Sequence, residues 1–183
     1  MEADLAHAER IAGARSAVAR LAGAAVLLAA LDDEHALVRD RVLAGLSVRY
    51  GAEALDRVAF KLAQESPRVQ AMALEWLDVT LQGPDRRAVA LLERVGPGDA
   101  ERPPGDTSLA DVVRDLIEDP GDVWRRPWLA ACTLLAIARS PGCGVDVAEF
   151  RGSGQDRAGW AIVSETLDGL LELPEPTTSI GGT

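Results

Sequence analysis

Ser66-Pro67-Arg68-Val69-Gln70-Ala71-Met72-Ala73-Leu74-Glu75-Trp76-Leu77-Asp78-Val79-Thr80-Leu81-Gln82-Gly83-Pro84 is the stretch on which the reading of the fold turns. It opens on Ser-Pro. A serine oxygen can accept the amide hydrogens of a first helical turn, and proline at the first helical position loses only a donor that had no partner. It closes on Gly83-Pro84, a helix stop. Between these signals Val69, Ala73, Leu77 and Leu81 recur once per turn. The spacing predicts a helix from Pro67 to about Gln82 with one apolar face.

The same pattern extends in both directions. Upstream, residues 52–64 place Leu55, Val58, Ala59 and Leu62 on one side. Before them, residues 36–49 place Leu37 or Val38, Val42, Leu46 and Arg49 on a stripe, and Gly51 stops that helix. Residues 9–31 read as one long helix, or two broken near Gly23. Downstream, residues 85–95 form a short helix with Val89, Leu92 and Val95. Pro-Pro and three glycines make residues 96–106 a loop. Thr107 is expected to cap a helix to Glu118 with Leu109, Val112, Val113 and Leu116 inward. Pro127 opens a helix to Arg139, and a last one covers Asp156 to Leu171. The domain is expected to span residues 1–173, with an insertion at 121–126 and a disordered Pro- and Thr-rich tail over 174–183.

These helices repeat. Val38, Val69 and Leu129 share one register position. Leu43, Leu74 and Leu134 share another, and Leu46, Leu77 and Ile137 a third. The first offset is 31 residues and the second, 60, is close to twice that. A hairpin of about 30 residues cannot cover its own apolar face, so neighbours must stack on it. The expected fold is all-α, a right-handed α-solenoid of about four helical hairpins. Aromatic residues make up only 4% of the chain, which suits closely packed helix pairs with Ala and Leu at their contacts.

Two stretches resemble the HEAT-repeat superfamily, and within it the HEAT-like module of bacterial ATP/ADP-carrier-like fusion proteins. One is Ala73-Leu74-Glu75-Trp76-Leu77-Asp78-Val79-Thr80-Leu81, similar to that family's "ALELLDNLL". The other is Pro127-Trp128-Leu129-Ala130-Ala131-Cys132-Thr133-Leu134, similar to "PWLRACAL" after an "EDP" like Glu118-Asp119-Pro120. The resemblance covers residues 31–139. The chain departs from it by the insertion Gly121 to Arg126 and by Ala130, where the family has Arg. The resemblance implies a module that relays between a membrane part and a ligand-sensing part.

Composition narrows the chemistry. The formal net charge is -10, which disfavours a nucleic-acid partner. Residues 1–95 carry 14 acids against 12 bases and residues 96–183 carry 15 against 7, so the excess acidity lies in the second half. The longest uncharged apolar run, Leu21 to Leu31, falls short of the roughly 20 residues of a bilayer span. Met1-Glu2-Ala3-Asp4 is acidic where an export signal is basic, and two cysteines make no disulfide framework, so a cytoplasmic location is expected.

No catalytic, cofactor-binding or metal constellation is expected. His7 and Glu34-His35 lack a second ligand at helical spacing and read as surface residues. Cys132 lies on an apolar stripe and reads as a small buried hydrophobe, while Cys143 lies in a loop with nothing nearby to activate it. Gly152-Ser153-Gly154 lacks the outer glycines of a nucleophile elbow. Arg86-Arg87 and Arg125-Arg126 read as solvated helix ends. Trp128 is expected to anchor a repeat junction, and Trp124, in the insertion, is the tryptophan better placed for exposure.

The reading that follows is a non-catalytic protein-interaction scaffold. It would bind a peptide, helix or neighbouring domain on the concave side lined by second helices, where Arg41, Arg68, Glu75 and Asp78 are exposed and mixed in sign. The alternative is an enzyme on the same scaffold, of base-excision or pigment-lyase type. A base-excision role wants a basic groove, which a charge of -10 opposes.

Overall fold

The computed structural model describes residues 1–64, 66–93, 108–119, 124, 126–140, 143–151 and 160–172. Among them the chain folds into α-helices and short 3-10 turns, with no strand. The all-α class expected from the hydrophobic spacing is what these residues adopt. The loop over 96–106, most of the insertion at 121–126, Gly152-Ser153-Gly154 and the tail over 174–183 lie outside the described residues.

The helices are α1 (Glu2–Val18), α2 (Ala25–Tyr50), α3 (Ala52–Leu62), α4 (Pro67–Thr80), α5 (Arg87–Glu93), α6 (Leu109–Glu118), α7 (Pro127–Ala138) and α8 (Ala161–Leu171). Two 3-10 turns, Gly83–Arg86 and Val147–Phe150, precede α5 and follow α7. The interval near Gly23 is a true break. The other expected interval, at Asp32 to His35, is not one, and α2 runs through it unbroken. No Pro or Gly stands there, Asp32 and Asp33 point to solvent, and Glu34 turns inward. α2 stops where expected because Gly51 adopts φ +93, a left-handed value that costs only glycine little.

Two caps differ from expectation. Ser66 stands at the start of α4, but its backbone carbonyl, not its side chain, accepts from Val69 and Gln70. At α6 the capping residue is Ser108 rather than Thr107, its hydroxyl accepting from the Asp111 amide at 3.1 Å. α6 ends on Asp119 in the left-handed region, φ 39.

The chain divides into two compact units. The first holds residues 1–16 and 31–104. Its core is built from Leu5, Ala8 and Ile11 of α1, Leu31, Val38, Val42 and Leu46 of α2, Leu55 and Val58 of α3, Ala73 and Leu77 of α4, and Leu91 and Leu92 of α5. α3 packs on α4, and α4 on α5. Each helix shows the core one stripe and leaves the opposite side in water. Burial of one leucine side chain contributes about 1.5–3 kcal/mol, so these stripes decide the packing.

The second unit holds residues 17–30 and 105–183. Its central element is α7, which packs on α6, on α8 and on the turn Val147–Phe150. From Leu129 to Leu134, and again at Ala136 and Ile137, every side chain is buried. A helix that is apolar all round lies inside, and α7 does between Leu129 and Ile137. Gly23 reaches α7 so closely that a methyl group there would stand 2.6 Å from Arg139 Cβ and 2.8 Å from the Ala136 oxygen.

Candidate binding face

α2 and α4 each expose large apolar side chains away from the core. Leu37 and Val48 are exposed on α2, and Met72, Trp76 and Val79 on α4. Val48 is 87% exposed and Val79 81%, and they stand 31 residues apart, the period of the repeat. Leu37 and Arg68 also stand 31 residues apart, and both are exposed. Each of these residues lies off the inward stripe of its helix. Scattered exposed hydrophobics are ordinary, and a row of them along one helix side makes that side the candidate for a binding face.

A polar knot ties the ends of α2 and α4 together. Arg49 Nη1 donates to both carboxylate oxygens of Asp85, at 2.9 and 2.8 Å. Tyr50 Oη donates to Asp85 Oδ2 at 3.1 Å and accepts from the Gln82 amide at 3.2 Å. Gln82 directly follows the last turn of α4, and Asp85 lies in the 3-10 turn beyond it. The Asp85 side chain is 4% exposed, so its charge needs these donors. Arg49 was expected on the inward stripe with Leu46. Its side chain is instead exposed, with the guanidinium on the Asp85 carboxylate.

Arg41, Arg68, Glu75 and Asp78 are all exposed, as expected. Arg41 pairs with Asp4 at 3.0 Å and Asp78 with Arg86 at 2.9 Å. Arg68 and Glu75 enter no ion pair with a described residue. Partial burial draws the Asp4 carboxyl upward, but hydrogen bonds from Arg41 and the terminal ammonium, with their charges, outweigh it and hold the group below its ordinary value.

The histidine reading is corrected. His7 of α1 and Glu34 of α2 are both buried and face each other, Nε2 to Oε1 3.3 Å. The one-turn register that puts Leu31 and Val38 inside α2 puts Glu34 there too, so sequence position alone held the clue. His35 is half-buried. Among the described residues no group of three His, Cys, Asp or Glu could hold a metal ion.

The tryptophans are corrected as well. Trp124 is buried, its Nε1 donating to Asp115 at 3.1 Å and its amide to Asp119 at 3.1 Å. Asp119 carries its strained backbone where it can make that second bond. Trp128, expected as an anchor, is 54% exposed. Trp160 is buried at the start of α8. Cys132 is buried, as expected, and burial pushes its thiol up to about 11. Cys143 is half-buried and its sulfur lies 3.6 Å from the Val145 carbonyl. Arg86 and Arg87 are exposed and paired, Arg87 with Glu9 at 3.3 Å.

Compared with protein-family models, curated proteins and solved structures, the chain matches none. Among the described residues no helix is long and apolar enough to cross a membrane.

Proposed function

We propose that the chain is a non-catalytic protein-interaction module, built of HEAT-like helical pairs stacked as a right-handed α-solenoid. Its outer α2 and α4 side takes a helix, a peptide or a neighbouring domain. The observation that carries this reading is the pair Val48 and Val79, nearly fully exposed at equivalent positions one repeat apart. Met72, Trp76 and Leu37 extend the same side. The knot at Asp85 ties the end of α2 to the turn that follows α4. A rigid apolar surface binds with little ordering cost, which is what a scaffold needs.

The resemblance to the carrier-fusion module adds a role to the surface. In that setting the face relays between a membrane part and a ligand-sensing part, on the cytoplasmic side. The mixed charges of Arg41, Arg68, Glu75 and Asp78 then act at the rim, setting orientation more than strength.

The test is a paired capture. Native protein and a Val48→Asp/Val79→Asp variant are immobilised after circular dichroism shows equal helicity. The expected result is a defined protein recovered by the native chain and lost by the variant. Equal recovery on both would refute the assignment of the face. A mobility-shift assay with duplex DNA at low salt is expected to show no complex, and tight binding there would favour the base-excision reading instead.

A further inference from the structure

The outer side of α4 carries a charge pattern that complements its own reversed copy. Arg68 and Glu75 lie seven residues apart, close to two helical turns, and so fall on the same side of the helix about 10.5 Å from each other. Both are exposed and neither enters an ion pair with a described residue. The midpoint between them falls between Ala71 and Met72, two exposed residues. Met72 and Trp76 flank this line on one side, and Val79 prolongs it.

We propose that α4 pairs with α4 of a second copy of this chain, antiparallel, about a two-fold axis passing between Ala71 and Met72. The proposal rests on the reading of this side as a docking face and names its occupant. A two-fold axis at that point places Arg68 opposite the partner's Glu75, and Glu75 opposite the partner's Arg68. Both ion pairs therefore form or neither does. Met72 meets the partner's Met72 across the axis, and Trp76 lies outside them on the same flank. No other axis position along the helix satisfies both charges while keeping Met72 at the centre. A symmetric contact of this kind needs no partner gene, only a face whose pattern reads the same in reverse.

One helix pair buries less than the roughly 1,200 Å² of a stable interface, so the dimer is of the weak, concentration-dependent class. Its net charge works against it, since two chains of -10 repel. The two crossed ion pairs and the methionine contact supply the specificity.

The experiment is sedimentation equilibrium on the full chain at concentrations up to about 1 mM, where interactions worth about 4 kcal/mol become visible. Four proteins are compared: native, Arg68→Glu, Glu75→Arg and the double exchange. All substituted positions are exposed, so folding is preserved and circular dichroism verifies it. The native chain dimerises. Each single reversal sets like charges face to face and weakens the dimer roughly tenfold, and the double exchange returns it to within about threefold of native. Met72→Asp removes the dimer. A native chain that stays monomeric, or a double exchange no tighter than the single variants, overturns the proposal. Either outcome leaves the binding-face reading to stand or fall on the capture experiment, which alters Val48 and Val79 instead.

Discussion

Substituting Gly23 by Ala is expected to destabilise the protein, although the usual rule in a turn runs the other way. A Gly→Ala change where the backbone permits it stabilises by about 0.4–1 kcal/mol, by narrowing the unfolded ensemble. Gly23 does not adopt a positive φ, so the backbone permits it. Space does not. The new methyl would stand 2.6 Å from Arg139 Cβ and 2.8 Å from the Ala136 carbonyl oxygen, neither of which is the loose end of a flexible side chain. The turn must retreat from α7 by close to an ångström. In doing so it loses the bond from the Gly23 amide to Ser140 Oγ, now 3.1 Å, whose hydroxyl in turn donates to the Ala136 carbonyl at 2.8 Å. Overpacking costs about 1–3 kcal/mol and the lost hydrogen bond about 1 kcal/mol. Set against the entropic gain, the net loss is about 1–3 kcal/mol. Urea unfolding measures it. Ser140→Ala alone removes the same bond at about 1 kcal/mol, and in the Gly23→Ala background it should cost clearly less, because the bond is already broken. A Gly23→Ala protein as stable as the native one, or full additivity of the two changes, would refute this account of the contact.

Three further outcomes follow from the same packing. Leu77→Ala opens a cavity at a fully buried position and should cost about 2–5 kcal/mol in a denaturant titration. Leu74→Ala, one turn position away and half-buried, should cost clearly less, so the ranking of the two checks which face of α4 is inward. Asp4 titrates below its ordinary value in the folded state, so its contribution is present above pH 3.8 and is lost as pH falls through the lowered value. The stability gap between native protein and Asp4→Asn should therefore be constant near neutrality and close in strong acid, as read by unfolding curves across pH. A maleimide reagent at neutral pH should modify Cys143 well before Cys132, whose buried thiol is pushed up to about 11; mass spectrometry of the labelled peptides decides it.

Much of this architecture could be read directly from the residues. Leu55 and Val58, Ala73, Leu77 and Leu81, and Val113 and Leu116 all lie inside, where the period of the helix put them. Gly51 ends α2 and Pro67 opens α4 because their covalent geometry admits little else. The candidate face was less legible. Val48, Met72 and Val79 are hydrophobic residues outside the inward stripe, and their spacing shows that they are off the core without showing whether a neighbour covers them. The tryptophans failed for a related reason. Trp124 is buried with Asp115 and Asp119 receiving its two N–H groups, and no helical period announces a partner nine residues back.

The sequence by itself determined the helices and the inward side of most of them, since both depend on turns of four residues and on which side chains avoid water. Tertiary structure alone decided which partner each buried polar group meets. His7 meets Glu34, and Asp85 collects Arg49 and Tyr50, across separations of 27 to 36 residues. A charge enters a core only where its partner is already waiting, and that partner is chosen by how the helices pack rather than by any local pattern.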